Sequence, residues 1–395
     1  MIRYDFPQNW IRYDILALAS ELTVAKAAVI SLAATPFQRS WADQLQVIQL
    51  KREVAGTSRI EGAEFTEKEL DAAMKETPEQ LHTRSQRQAA AAVATYRWIA
   101  KLPNDRPINA DLICETHRRI VTGADDDHCT PGKLRARDEN VNFGVPRHRG
   151  AEGGDECEQA FFEFCRAIQQ EFNAHDPLIQ ALALHYHFAA MHPFMDGNGR
   201  TARALEALSL QRTGLKDSLF IAMSNYYHEE KNGYLTALAE VRAKGHDLTP
   251  FLKFGLRGID SQCQRLLAEI RMNIRKALFR NMMYDLSKCL SAITRVRGVR
   301  RRLKILKLLL DVDGLVLEEL SKKTEPEYRS LSNPYKALIR DLNYLIQLGA
   351  IGFEKLEAGR YRIFAKLEWP TQITETEFFA RVKQMPKAKT HSFLD

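Results

Sequence analysis

The residue types that could carry out chemistry are concentrated between His192 and Arg203, in the sequence His-Pro-Phe-Met-Asp-Gly-Asn-Gly-Arg-Thr-Ala-Arg. Apolar residues recur at helical spacing before this stretch and after it, so a helix-loop-helix is predicted. Gly197 and Gly199 would let the loop turn its backbone amides inward at the N-terminus of the second helix, where unpaired amides and the helix dipole favour an anion. The stretch therefore predicts a phosphate-binding loop.

Charged and titratable side chains accompany this loop. Arg200 and Arg203 share one helix face, which suits two arginines that bind successive phosphates. Asp196 lies just ahead of the loop, where a carboxylate can hold a magnesium ion that bridges phosphate oxygens. His192 can reach the same anion as a general base. A capped helical turn with a buried histidine and solvated arginines explains each residue singly, but not all of them in this order.

The stretch resembles the motif of the Fic family, His-x-Phe-x-Asp/Glu-Gly-Asn-Gly-Arg-x-x-Arg, at every defined position. The resemblance implies transfer of AMP from ATP to a hydroxyl side chain of a target protein. It implies that His192 deprotonates the hydroxyl and that Asp196 holds Mg²⁺. It also implies that an anion nest is formed by Gly197, Asn198 and Gly199. The distal phosphates would be bound by Arg200 and Arg203, and Phe194 would be a packing residue.

A second short motif lies far upstream. Taken locally, Glu61 follows a helix predicted from Trp41 to Val54, on a short helical turn, and is typical of a solvated glutamate near a helix end. However, Thr57-x-x-x-Glu61-Gly62 resembles the inhibitory motif Ser/Thr-x-x-x-Glu-Gly/Asn of one large class of Fic proteins. The resemblance implies that Glu61 pairs with Arg203 and so occupies the guanidinium that the γ-phosphate of ATP needs. A self-inhibited enzyme is predicted.

Two further regions of the core are assigned by position. Residues 135–149 look extended and correspond to the flap hairpin of Fic proteins, which holds the target segment by strand addition; an ordinary surface loop is the alternative. Fic proteins carry a tyrosine pair that flanks adenine, and the best-placed match here is Tyr234, followed by Leu235 instead of a second tyrosine. Tyr234 is therefore predicted to stack on adenine.

Composition, charge and cysteine content narrow the class of protein to which the chain can belong. The chain has 395 residues, 45% hydrophobic and 27% charged, with a net charge of +7, which is typical of a soluble protein with two or three domains. Six scattered cysteines argue against a disulfide framework or structural zinc site. A metal site at His185 and His187 is rejected, because residues two apart point to different sides of a helix. No stretch is expected to be long and apolar enough to cross a membrane, and the start of the chain does not resemble a secretory signal, so a cytoplasmic location is expected.

The last hundred residues predict a separate module. A long helix from about Phe251 to Ser291 is followed by a basic run between residues 295 and 307, then three helices and a hairpin, the pattern of a winged helix. Lys336 and Arg340 fall on the outer side of the third helix, where a DNA-reading helix would display them, although Asp341 is nearby. Docking or dimerisation is the alternative use of this module.

The expected fold is mainly α, with a Fic-fold helical core, a short β-hairpin flap, an N-terminal helical region and a C-terminal winged-helix domain. The predicted segments are an N-terminal region with the inhibitory motif (1–85), the catalytic core (86–262), a connecting helix (263–300), the winged helix (301–370) and a tail (371–395).

The expected function is a protein adenylyltransferase that uses ATP and Mg²⁺ and is inhibited by Glu61. Its expected partner is a protein whose Ser, Thr or Tyr hydroxyl docks at residues 135–149. DNA at the winged helix and a second copy of the chain are further partners considered, and no membrane is expected. The rivals are transfer of phosphate, UMP or phosphocholine, and a winged-helix transcription regulator whose Fic core senses nucleotide or modifies itself.

Overall fold

The computed structural model divides the chain into two compact units, residues 1–268 and residues 269–395. It describes residues 2–35, 39–75, 81–144, 146–214, 221–291 and 296–368, together with isolated positions beyond 373. Arg295 of the basic run, Val145 of the predicted flap and most of the predicted tail lie outside these ranges. The boundary between the units falls within one long helix, Thr249–Ser291.

Helices form most of the first unit, which confirms the mainly α prediction. They are α1 (Ile15–Ala34), α2 (Arg39–Ile60), α3 (Glu67–Ala73), α4 (Arg84–Ile99), α5 (Ala110–Val121), α6 (Asp155–Gln170), α7 (Pro177–Met191), α8 (Asn198–Gln211), α9 (Met223–Glu229), α10 (Lys231–Ala243) and the first part of α11 (Thr249–Ser291). The helices α7 and α8 form its centre, because nearly all of their side chains are buried. The loop between them is the predicted phosphate-binding loop.

Local sequence accounts for many of the helix ends. The Thr66 side chain and the Glu69 side chain form a capping box at the start of α3. Asp176 caps α7, with its carboxylate accepting from the N–H of Leu178 at 3.0 Å, and Pro177 occupies the first helical turn. These signals can be read directly from the sequence.

The helix α2 is longer than predicted, since it continues past Val54 to Ile60. Gly56 does not end it, because this glycine lies against the backbone of Ser224 and a Cβ atom here would overlap that backbone. Thr57 therefore belongs to α2, and Glu61 follows the last helical residue, with its N–H donating to the carbonyl of Ser58 at 3.2 Å.

A small sheet with strand order β1-β3-β2 lies beside the central helices. The hairpin pairs β2 (Asn142–Phe143) antiparallel with β3 (His148–Arg149), while the N-terminal strand β1 (Ile2–Arg3) pairs parallel with β3. The predicted hairpin is therefore present within residues 135–149, but one of its edges is already covered by the start of the chain. The other edge belongs to β2.

The expectation that no stretch is long and apolar enough to cross a membrane is wrong for α1. By length and composition alone, Ile15–Ala34 qualifies, and it is the one helix among the described residues that does. Only 28% of its apolar window is buried, and Leu16 is 86% exposed. Its buried side, which includes Leu18, Ala25 and Leu32, packs into the first unit.

The second unit contains the three helices and the final hairpin predicted for a winged helix, together with one short strand that was not predicted. After the end of α11 it contains α12 (Val296–Asp311), β4 (Leu315–Val316), α13 (Leu317–Tyr328), α14 (Pro334–Leu348), β5 (Ile351–Lys355) and β6 (Tyr361–Ala365). Its strands form one sheet in the order β4-β6-β5. Asn333 caps α14, Pro334 opens it, and Gly349 ends it in the left-handed conformation at φ 85°.

Asp341 was expected near the exposed face of α14, and this was wrong. It is buried and accepts hydrogen bonds from Arg301 at 2.9 Å, from Arg302 at 3.3 Å and from the hydroxyl of Tyr328 at 2.9 Å. Two arginines of the basic run are therefore held within the unit. Lys336 and Arg340 are exposed, as predicted.

Candidate active site

The loop between α7 and α8 is held in a strained conformation that presents His192 and the N-terminus of α8 together. His192 ends α7 with φ 50°, a left-handed conformation that is uncommon for a residue with a side chain. Gly197 precedes α8 with φ 74°, and a Cβ atom there would overlap Val121. Glycine is required at this position on both counts.

The predicted base, His192, has a defined tautomer. Its Nδ1–H donates to the carbonyl of Ala189, which leaves the Nε2 lone pair free. Burial lowers the pKa of His192 to about 3, with the nearby Arg242 guanidinium acting in the same direction, so the ring is neutral at physiological pH. The buried Arg135 fixes the backbone here, because its Nε–H donates to the carbonyl of His192 at 2.8 Å. A neutral imidazole with a free Nε2 can accept a proton.

Phe143 of the flap lies flat on the catalytic histidine candidate. The two ring centroids are 3.5 Å apart and the planes differ by 5°. The guanidinium of Arg242 also lies over Phe143, 4.6 Å from its centroid, and donates to the same Ala189 carbonyl at 3.3 Å. Because the Nε2 lone pair lies in the ring plane, a reacting hydroxyl must approach along that plane, and Phe143 closes one face of the ring.

Asn198 and Phe194 hold the loop together. The side-chain amide of Asn198 donates to the carbonyl of Phe194 at 2.7 Å and accepts from its N–H at 3.0 Å. Phe194 is fully buried and stacks on His117 at 3.7 Å, as a packing residue should. His117 accepts from the N–H of Gly132 and donates from Nε2 to the carbonyl of Asp196 at 2.9 Å. The loop geometry therefore depends on His117, which was not among the predicted site residues, as well as on Asn198 and Phe194.

Arg200, which was predicted to bind phosphate together with Arg203, is paired with a carboxylate of the first unit. It is buried, and its Nη1 donates at 2.5 Å to Asp125, a buried carboxylate that also accepts from Arg84 and Gln88. Burial opposes ionisation of Asp125, but Arg200 outweighs it and lowers the pKa of this carboxyl. Asp196 lies 3.5 Å from Arg200 and 3.3 Å from Arg84. Cations thus surround the predicted magnesium ligand.

Arg203 is buried and is held by the predicted inhibitory motif. Its Nε–H donates to Oγ1 of Thr57 at 2.8 Å, and Nη2 donates to the carbonyl of Thr57 at 3.2 Å and to Oε1 of Glu61 at 2.5 Å. Burial opposes the charge on Glu61, but Arg203 outweighs it and lowers the pKa of the carboxyl. Gly62 follows with φ 88°, which turns the chain away after Glu61.

The carboxylate of Glu61 also lies on the anion nest itself. A Cβ atom added to Gly199 would overlap Oε1 of Glu61, so this oxygen lies directly against the first turn of α8. A negative group is favoured there by the unpaired amides and the helix dipole. Glu61 therefore occupies both the guanidinium of Arg203 and the position at the N-terminus of α8 that would suit a phosphate.

Contacts further along α2 fix this helix in place. Glu53 is buried and accepts from the N–H of Ser224 at 2.9 Å, from the Ser224 hydroxyl and from the hydroxyl of Tyr96 at 2.8 Å. Lys231 donates to the carbonyl of Ile60 at 3.0 Å, at the C-terminal end of α2, where a cation is favoured. With the close approach at Gly56, these bonds make α2 part of the packed unit.

A cavity of about 230 Å³ opens beside His192 and Arg203. Its walls come from the flap, α7, α8, α10 and the end of α2: Ile60, Glu61, Phe143, Gly144, His148, Ala189, His192, Gly199, Arg203, Lys231, Tyr234, Leu235, Leu238, Ala239 and Arg242. Tyr234 lines this cavity, but its ring stacks on Tyr227 at 4.6 Å and its hydroxyl is bonded to His185 at 2.9 Å. His185 is a satisfied core histidine, as expected, and it also bonds to Glu206.

Residues 107–210 match the family model described as the Fic/DOC family. These residues therefore form a Fic domain. The match contains the whole loop between α7 and α8, together with Asp125, His117 and the flap.

Curated relatives of this Fic protein are named protein adenylyltransferases. Protein adenylyltransferase fic-1 of Caenorhabditis briggsae is 28% identical over 165 residues, which are 42% of this chain and 30% of the relative. Protein adenylyltransferase Fic of Nematostella vectensis is 29% identical over 165 residues, 41% of this chain and 34% of the relative. The similarity thus spans about a third of the length of these relatives.

Solved Fic structures share the fold. A Fic family protein from Desulfovibrio desulfuricans G20 superposes with a TM-score of 0.53 at 18% identity, covering 92% of this chain and 99% of that one. Fic-1 from Caenorhabditis elegans gives a TM-score of 0.54 at 19% identity, covering 65% of this chain and 75% of that one.

Several side chains of the candidate active site were not predicted from the sequence. Asp125 and His117 contact the motif from 75 and 79 residues away, and nothing local marks either of them. Phe143 and His148 were included in the flap only as part of a range, although they occupy paired positions on its two strands. Such residues become visible only once the fold brings them to the loop.

Proposed function

We propose that this Fic protein is a protein adenylyltransferase that transfers AMP from ATP to a Ser, Thr or Tyr hydroxyl of a target protein, and that Glu61 holds it inactive. The observation that supports this most strongly is the pairing of a free His192 Nε2 with a helix N-terminus whose anion position is taken by Glu61. A base beside an anion nest suits attack of a hydroxyl on a phosphate. The names of the curated relatives agree with it.

In the proposed reaction, the target hydroxyl loses its proton to Nε2 of His192 as its oxygen bonds to the α-phosphorus. The bond between that phosphorus and the oxygen bridging to the β-phosphate breaks, and diphosphate leaves with the electron pair. Arg203 and the first-turn amides of α8 bind the phosphate oxygens once Glu61 has moved away. The hydroxyl approaches in the plane of the imidazole, where the Nε2 lone pair lies, and Phe143 closes one face of the ring.

Magnesium fits this proposal through Asp196. The Asp196 side chain is 37% exposed, and a magnesium ion would have to displace Arg84 and Arg200 from its carboxylate, because two neighbouring cations repel a third. Among the described residues no group of three metal-binding side chains occurs, so a magnesium ion would depend on one carboxylate together with phosphate oxygens, as is usual for this ion. It would supply charge neutralisation of the phosphates.

The target segment is proposed to add as a strand to the flap at β2. Because β1 covers the outer edge of β3, the order β1-β3-β2 leaves β2 as the edge of this sheet beside the cavity. Backbone pairing there would bring a hydroxyl past Phe143 toward His192.

The test uses Glu61→Gly with ATP labelled at either the α- or the γ-phosphate. Label on protein from the α-position alone is expected, with none in Glu61→Gly/His192→Ala. The exposed His128 offers a matched control, so His128→Ala in the same background should keep full labelling. Label from the γ-position alone would mean a kinase, and full labelling after His192→Ala would refute the base assignment.

A further inference from the structure

His148 is a buried side chain that faces the cavity without a partner. It is 3% exposed, and neither ring nitrogen has a hydrogen-bond partner in the part of the chain that the structure describes. An unpaired buried polar group is costly, so such groups in native proteins usually await a ligand or an ordered water.

The other polar side chains that line the cavity are already engaged. Glu61 and Arg203 bind each other, Lys231 donates to Ile60, and Tyr234 bonds to His185. His192 and Arg242 both donate to Ala189. His148 is therefore the lining side chain among the described residues whose hydrogen-bonding capacity is entirely unused.

The chemistry of His148 differs from that of the phosphate end of the cavity. Burial lowers the pKa of His148 to about 4, with Arg242 acting in the same direction, so its ring is neutral at physiological pH and offers one donor and one acceptor. A phosphate offers acceptors alone and is best matched by cations. A nucleobase edge carries both donors and acceptors and is matched by a neutral imidazole.

The position of His148 agrees with that chemistry. Its neighbours are Phe143, with ring centroids 6.2 Å apart, Gly144 and Arg242, none of which belongs to the anion nest. Beyond the nest the cavity is lined by Leu235, Leu238 and Ala239 of α10, which suit a flat base better than a triphosphate. Because β3 is paired on both sides, a target strand cannot reach His148 through the sheet edge.

We infer that His148 hydrogen-bonds to the nucleobase of the bound nucleotide and contributes to the choice of base. The inference rests on the proposed function, since it assumes that the cavity takes a nucleotide with its phosphates at α8. His148 would then be a specificity-determining residue that lies on the flap, opposite the family motif.

The test compares nucleotide binding by Glu61→Gly and Glu61→Gly/His148→Phe, measured calorimetrically without a target protein. Phenylalanine keeps the ring and removes both nitrogens. ATP should bind roughly fivefold to tenfold more weakly to the double variant, as expected for one lost hydrogen bond, whereas inorganic triphosphate should bind equally to both. His148→Gln, which retains a donor and an acceptor, should restore part of the ATP affinity, and the exposed His128→Phe should have no effect.

Equal weakening of ATP and inorganic triphosphate would overturn the inference in favour of a phosphate contact. Unchanged ATP affinity with a raised KM for the target would assign His148 to the target instead. If Glu61→Gly bound no ATP at all, the proposed function itself would fail, so the two failures are distinguishable.

Discussion

The hydrogen bonds that hold Arg203 can be removed one partner at a time, beginning with the substitution Glu61→Gly. Arg203 makes one hydrogen bond to Glu61 and two to Thr57. A hydrogen bond to a charged group contributes about 1.5–3 kcal/mol. The Glu61 side chain is 39% exposed, so solvent screening places its share near the lower end, about 1.5 kcal/mol.

Since about 1.4 kcal/mol corresponds to a factor of ten, Glu61→Gly should raise both ATP affinity and the initial rate of AMP transfer about tenfold. Removal of the carboxylate from the α8 N-terminus acts in the same direction, because it frees the position over Gly199. Thr57→Val removes the hydroxyl that accepts from Nε of Arg203 and should add a severalfold gain. The two effects should be less than additive when combined, because both partners bind one guanidinium.

The assay is label transfer from α-labelled ATP at initial rate, alongside calorimetric ATP affinity. Glu64 is exposed and lies three residues beyond Glu61, so Glu64→Gly is the matched control for backbone flexibility and should match wild type. The reasoning would be refuted by a well-folded Glu61→Gly protein with unchanged or lower ATP affinity, or by an equal gain in Glu64→Gly.

Two predictions concern stability. Asp125→Asn removes a buried charge from Arg200 and should cost about 3–5 kcal/mol in urea unfolding, whereas the exposed Asp127→Asn should cost little; equal effects would contradict the anchoring role of Asp125. Burial raises the pKa of Glu53 from 4.5 to about 7, so the folded state keeps a proton that the unfolded state releases. This stabilisation is complete below about pH 4.5 and is lost as pH rises through about 7. Wild type should therefore lose stability relative to Glu53→Gln between pH 5 and pH 8, and parallel stability curves for the two proteins would contradict this.

The residues of the site that the sequence revealed are those whose partners are close in the chain. The loop between α7 and α8 carries its own helix signals, glycines and charges, so its geometry followed from local rules. The partners of Arg200 and of the Asp196 carbonyl come from α5 and the turn after it, and only tertiary packing brings them there. Glu61 and Thr57 could be linked to Arg203 by resemblance to a family motif, but local patterns favoured a solvated glutamate.

Errors in the fold have similar causes. The helix α2 continues through Gly56 because close packing against Ser224 outweighs the low helix propensity of glycine. Asp341 was predicted to lie near the exposed face because its partners, Arg301 and Arg302, lie 40 and 39 residues earlier and no local pattern links them to it. The helix α1 was not predicted to be apolar enough for a membrane span, although Glu21 and Lys26 are the charged residues in its 20-residue length.

Under the proposed function, the packing of Gly56 and Glu53 makes inhibition by Glu61 a property of the folded unit. A chain that has acquired its native first unit has, in the same event, placed a carboxylate where its substrate should bind. Newly synthesised protein would then be silent from the moment it folds, without a second factor to restrain it. An activator would need to disturb only the short turn after Ile60. An activator that displaced the whole of α2 would have to unfold part of the first unit.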